Sequence, residues 1–114
     1  VHDRAVALIS HLPVLVSAAL LSTADRQSAA AAGESFPELV RLLASSGFAD
    51  TTRVGGGNPE LGTLMCRWNR EAVLSALMHY QTELDTLIEA VRQEDWPALQ
   101  ARLQHSQAIR PAFL

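Results

Sequence analysis

The chain has 114 residues, 48% of them hydrophobic and 18% charged, which is enough apolar material for one domain and excludes global disorder. Its net charge is −3, and all nine basic residues are Arg, scattered rather than clustered, so no nucleic-acid partner is expected. A single cysteine, Cys66, excludes an internal disulfide and a Cys-based zinc site and points to a reduced, cytoplasmic protein without a bound metal.

The start, Val1-His2-Asp3-Arg4, has no basic n-region leading to a cleavage site. It opens directly on a helical pattern with Val rather than Met, as the interior of a longer protein would. The first element is predicted over residues 2–24. Ala5, Ile9, Leu12, Val16 and Ala19 recur at spacings of four and three. Leu8, Leu15 and Leu20 widen the face, which predicts a central, buried helix. The uncharged run from Ala5 to Thr23 contains Ser10, His11, Pro13, Ser17 and Ser22, too polar and short for a membrane span of about 20 predominantly apolar residues. Pro13 removes a backbone donor and crowds the preceding turn, so special geometry is expected over Ser10–Pro13.

Residues 25–34 read as an Ala-rich connection. Ser35 followed by Pro37 and Glu38 is a capping-box start. Leu39, Leu42 and Leu43 are predicted to face the core, and Gly47 to stop that helix in a left-handed conformation. Residues 48–58 read as a Gly-rich, non-periodic loop. Asn58 then caps a short helix over 59–68 that carries Pro59 in its first position, and Asn69 either breaks it or caps the next. A long helix over 70–93 carries a heptad-like seam of Val73, Leu77, Tyr80, Leu84, Leu87 and Val91. Asp95 caps a last helix over 96–110, which Pro111 ends. The expectation is an all-α domain of about five helices and one unusual loop.

Few residues here can carry chemistry. His11 lies on an apolar helix, where it is either a satisfied core or interface histidine or a donor facing a ligand, with Ser10 beside it as a hydroxyl. Arg53 offers a guanidinium fork that fits a carboxylate; its alternative is an exposed ion pair with Asp50, which can also orient it. Gly55-Gly56-Gly57 lacks the Lys-Ser/Thr of a phosphate loop and the strand of a dinucleotide fold, and reads as a flexible turn. Glu83, Asp85 and Glu89 read as a solvated face. Cys66 reads as a small core residue.

Several segments, taken together, resemble the C-terminal domain of prephenate/arogenate dehydrogenases over essentially the whole chain. They are His2-Asp3-Arg4-Ala5-Val6, Ser10-His11-Leu12-Pro13, Gly47 through Arg53, Asn58-Pro59-Glu60-Leu61 and Asn69-Arg70-Glu71. The resemblance implies a helical dimerisation domain of the 6-phosphogluconate dehydrogenase C-terminal-like type, acting as a homodimer. It also implies a preceding Rossmann domain, absent from residues 1–114, that holds NAD or NADP and the catalytic histidine. The implied reaction is oxidative decarboxylation of prephenate or arogenate by hydride transfer, as a step in tyrosine biosynthesis. By the same resemblance Arg53 binds a substrate carboxylate, Ser10 and His11 line the cleft, and Asp50 and Asp3 support it; no catalytic residue falls in this chain.

Two positions depart from many prephenate-using relatives: Val14 stands where a second His follows the Pro, and Gly62 where a bulky aromatic is common. Both point to the arogenate-using branch, since arogenate carries an ammonium where prephenate carries a ketone. The competing expectation is a stand-alone helical interaction module that works through the seam on the long helix.

Overall fold

The computed structural model describes residues 1–30 and 36–114. Every regular element among the described residues is helical, as the Ala- and Leu-rich composition predicts. Two compact units, Val1–Ala76 and Leu77–Leu114, meet at a boundary inside one long helix.

The first unit opens on an unbroken helical run of α1 (His2–Val6), a π-helical turn (Ala7–His11) and α2 (Leu12–Ala30). The disturbance expected ahead of Pro13 takes this π form. Pro13 has no N–H to continue the ladder, and the Leu12 N–H reaches back to the Ala7 carbonyl, five residues away, which is the π spacing. α2 also passes the end expected near residue 24. The Ser28 hydroxyl donates to the Asp25 carbonyl at 3.0 Å within that extension, and the helix former Ala closes it. The remainder of the predicted 25–34 connection, and the Ser35 half of the capping box, lie outside the described residues.

Beyond them come α3 (Phe36–Leu43), α4 (Ser46–Thr52), a 3-10 turn (Arg53–Gly56) and α5 (Pro59–Trp68). Two expectations fail here. Gly47 does not stop a helix; α3 ends at Leu43 and Gly47 lies inside α4. Nor are residues 48–58 a loop, since α4 and the 3-10 turn take all but the last two. Local polar bonds hold this stretch helical: the hydroxyls of Thr51 and Thr52 donate to the carbonyls of Gly47 and Phe48 at 2.8 and 2.7 Å. Asn58 caps α5 as predicted, its Oδ1 accepting from the N–H groups of Glu60 and Leu61 at 2.9 and 3.3 Å.

The glycine run is not a flexible turn either. Gly55 lies against α2, where its N–H donates to Ser17 Oγ at 2.8 Å. A Cβ at Gly55 would stand 2.6 Å from both Ser17 Oγ and the Ala18 nitrogen, closer than any real side chain tolerates. Ser17 is 1% exposed. The 3-10 turn is therefore seated on α2 by a backbone-to-helix contact that only glycine permits.

The buried face of the first helical run differs from the predicted one. Ala7, His11, Ser17 and Ser28 are buried, while Leu8, Ile9 and Leu20 are exposed. The expectation of a run too polar and short for a span also fails: with α1 and α2 continuous, His2–Ala30 is by length and composition sufficient to cross a membrane, and only 17% of its apolar window is buried. Leu39, Leu42 and Leu43 are likewise exposed rather than core-facing. The reason is steric and local: small and polar side chains permit close helix-to-turn contact within the chain, and the bulky apolar ones are left pointing elsewhere. Cys66 is half-buried.

α6 (Arg70–Arg92) begins in the first unit, where Val73 and Ala76 are buried. In the second unit its continuation is followed by α7 (Trp96–Ile109) and a 3-10 turn (Arg110–Phe113) that extends past the predicted stop at Pro111. Half of the seam is uncovered, with Tyr80, Leu84 and Val91 exposed and Leu77 and Leu87 half-buried. Its acids are solvated: Glu83 pairs with Arg102 at 3.5 Å, and Glu89 accepts from Arg92 and Gln93 at 2.8 and 2.9 Å. The Gln93 bond foremost, with Arg92, holds the Glu89 carboxyl below its ordinary value.

α6 ends in a Schellman arrangement, in which the N–H groups of Glu94 and Asp95 return to the carbonyls of Val91 and Ala90. Glu94 sits there at φ 54, a left-handed position usually given to glycine. Asp95 then caps α7 as expected, its Oδ1 accepting from Ala98 N at 3.1 Å.

Gly55→Ala is expected to lower unfolding free energy by about 1–3 kcal/mol through overpacking. Gly56→Ala, whose Cβ meets nothing within 4 Å, is expected to stay within about 0.5 kcal/mol of wild type. Denaturant melts of the pair check this; equal stabilities would refute the tight seat on α2. Glu94→Gly should raise stability by about 0.5–1 kcal/mol by relieving the left-handed strain, read from the same melts.

Candidate functional site

The first helical run carries the histidine and serine of the predicted site, and the π turn sets how they point. His11, its last residue, is 8% exposed, whereas Ser10 beside it is open to solvent. His11 forms part of an open cleft of about 400 Å³ between the start of the run and the end of α5. Asp3, Val6, Leu64, Met65, Trp68 and Asn69 complete most of its wall.

Asn69, expected from the sequence only as a helix break or cap, is the residue that organises this corner. It occupies the turn between α5 and α6 at φ −127, ψ 37. Its Nδ2 donates to the Asp3 carbonyl at 2.8 Å and stands 3.5 Å from His11 Nδ1. Asp3 thus enters the site through its backbone, while its exposed carboxylate lies 3.5 Å from the His2 ring. The available signal was the isolated Asn between two helical patterns, a residue type suited to tying backbone ends.

Arg53 is the first residue of the 3-10 turn and is solvent-exposed. Asp50, on α4, is also exposed, and no ion pair joins the two among the described residues. The alternative of an Asp50–Arg53 pair is therefore not realised in this conformation, and the guanidinium is left open to an external anion. The His11 cleft does not include Arg53 or Ser10. What relates them is one rod: the turn carrying Arg53 is seated at Ser17, six residues beyond His11 on the same helical run, or about 9 Å at an α-helical rise.

Val14 and Gly62, the two departures from the family pattern, are neighbours. A Cβ at Gly62 would lie 3.7 Å from Val14 Cγ1, so the small residue on α5 faces the aliphatic one on α2. A bulky ring at 62 would have to compete for the space beside Val14.

The described residues do not form a dinucleotide cradle. They contain no strand, the run Gly55–Gly57 follows a helix, and the Gly55 N–H that a phosphate would need already binds Ser17.

Residues 1–105 match the family model described as "Prephenate dehydrogenase, dimerization domain". A crystal structure of Synechocystis arogenate dehydrogenase superposes with a TM-score of 0.91 at 47% identity, covering 99% of this chain and 39% of that one. A prephenate dehydrogenase from A. aeolicus, in complex with hydroxyphenyl propionate and NAD+, gives 0.83 at 25% identity over 99% of this chain and 37% of its own. Cyclohexadienyl dehydrogenase of Zymomonas mobilis is 31% identical over 98% of this chain and 36% of its length. The chain spans between 24% and 39% of the relatives it matches.

Proposed function

The chain belongs to the prephenate dehydrogenase dimerization-domain family, and we propose that it is the C-terminal domain of an NAD(P)-dependent arogenate or prephenate dehydrogenase of tyrosine biosynthesis, forming the dimer and binding the substrate carboxylate. The observation that carries this reading is the family match over residues 1–105. The Synechocystis arogenate dehydrogenase, alike over nearly the whole chain, favours arogenate as substrate. The Val14–Gly62 wall supports the same choice. Neither residue's side chain offers a hydrogen-bond donor toward a ketone.

In this reading the helical domain is of the 6-phosphogluconate dehydrogenase C-terminal-like type. A Rossmann domain elsewhere in the full-length protein holds NAD or NADP, which accepts the hydride as carbon dioxide leaves. This chain by itself turns over no substrate. Its exposed Arg53 grips a carboxylate through two parallel charge-assisted bonds. Ser10, exposed on the π turn and outside the wall of the His11 cleft, offers the substrate a hydroxyl, and Asp50 adjusts the field around Arg53. The lone, unpaired Cys66 is in keeping with a cytoplasmic protein.

The dimer follows from the uncovered surface. Leu8, Ile9 and Leu20 on the first helical run are exposed in the first unit, and so, in the second, are Met78, Ile88 and Val91 on α6, and large exposed apolar side chains of this kind mark an interaction surface. A second copy of this chain is the occupant that the family description supports. A membrane is the poorer one, because the same first helical run buries His11 and Ser17 against Asn69 and Gly55.

In the full-length enzyme, Arg53→Ala should raise KM for the substrate and lower kcat/KM by about 30- to 900-fold, the equivalent of about 2–4 kcal/mol, with cofactor affinity retained; wild-type steady-state kinetics would reject the role. Light scattering at micromolar concentration should return twice the chain mass. A monomer, or a protein recovered only with detergent, would overturn the dimer.

A further inference from the structure

Asn69 does more than join two helices. Its Nδ2 bond to the Asp3 carbonyl, at 2.8 Å, settles which end of the amide faces inward, because a backbone carbonyl accepts only from the NH2 group. That nitrogen carries two hydrogens and no acceptor. The second faces His11 Nδ1 at 3.5 Å, a long contact, but one whose polarity is unambiguous. An Nδ1–H would set two donors against each other, so Nδ1 meets the amide as a lone pair. No buried side-chain polar atom among the described residues is left without a partner. His11 Nε2, which has no partner among the described residues, is therefore the ring atom that keeps contact with solvent.

We propose that Asn69 is a positioning residue that holds His11 in the Nε2–H tautomer, so that the cleft between α1 and α5 presents a neutral hydrogen-bond donor. The ring nitrogen that a second-site partner orients determines what the other nitrogen can do. With its proton on Nε2, His11 has no lone pair facing the cleft. It does not act there as a general base, and it recognises an oxygen acceptor, a carbonyl or carboxylate oxygen. Leu64, Met65 and Trp68 form the apolar part of the wall and limit competition from water. The assignment rests on the Asp3–Asn69–His11 geometry and holds whether or not Arg53 binds a carboxylate.

The test is long-range proton–nitrogen NMR on the full chain labelled with 15N-histidine, at a pH where imidazoles are neutral, with His11→Gln identifying the His11 signals. The wild type should show His11 almost wholly as Nε2–H. Asn69→Asp, nearly the same shape but offering only acceptors, should reverse the dominant tautomer to Nδ1–H. A wild-type His11 protonated mainly on Nδ1 would overturn the proposal without any variant. So would an Asn69→Asp spectrum with Nε2–H still dominant. If Asn69→Asp does not fold, Asn69→Ala serves: loss of the wild-type bias toward a mixture supports the assignment, and an unchanged bias refutes it.

Discussion

A single buried hydroxyl ties the first unit together. Ser17 is sealed on an otherwise apolar helix and accepts the N–H of Gly55 from a turn 38 residues further along the chain. An unmade bond at that depth would leave a donor and an acceptor without water, at a cost of about 1–3 kcal/mol for each group. A side chain larger than hydrogen at residue 55 would separate them. The pair therefore fixes where the 3-10 turn lies, and with it the position of Arg53. A guanidinium on a true flexible loop would have to be ordered at each binding event, which weakens affinity.

The other end of the same helical run is set by an omission. Pro13 cannot donate to the ladder, and the turn before it opens into π geometry. That extra residue turns the histidine inward and leaves the serine outward. Asn69 then secures the inward ring and the Asp3 carbonyl together. Polar side chains on an apolar helix are thus not incidental: Ser17 anchors a turn, and His11 is held by an amide from the α5–α6 junction. Each makes contacts that a leucine at the same place would forbid.

The large apolar side chains have the opposite fate. Because the chain's own close contacts use alanine, serine and glycine, the leucines and isoleucine of the first run stay outside, along with much of α6. A helix with this pattern passes the length and composition test for a membrane span and also suits a protein interface; periodicity does not distinguish them, since both environments reward the same side chains. Membership of a dimerization-domain family selects the interface.

Local rules were legible in the residues alone. The all-helical class, the caps at Asn58 and Asp95, the disturbance ahead of Pro13 and the long helix, expected over 70–93 and found over Arg70–Arg92, each depend on neighbours within a few positions. The family was legible too, as short motifs in order. What the sequence could not show depends on contacts between distant positions. It suggested a loop over 48–58, where back-bonding threonines and a seat on Ser17 make a helix and a tight turn. It offered Asn69 as punctuation, although that amide joins residues 58 and 66 positions away. Those outcomes are decided by which backbones can approach each other closely, and only the tertiary structure contains that information.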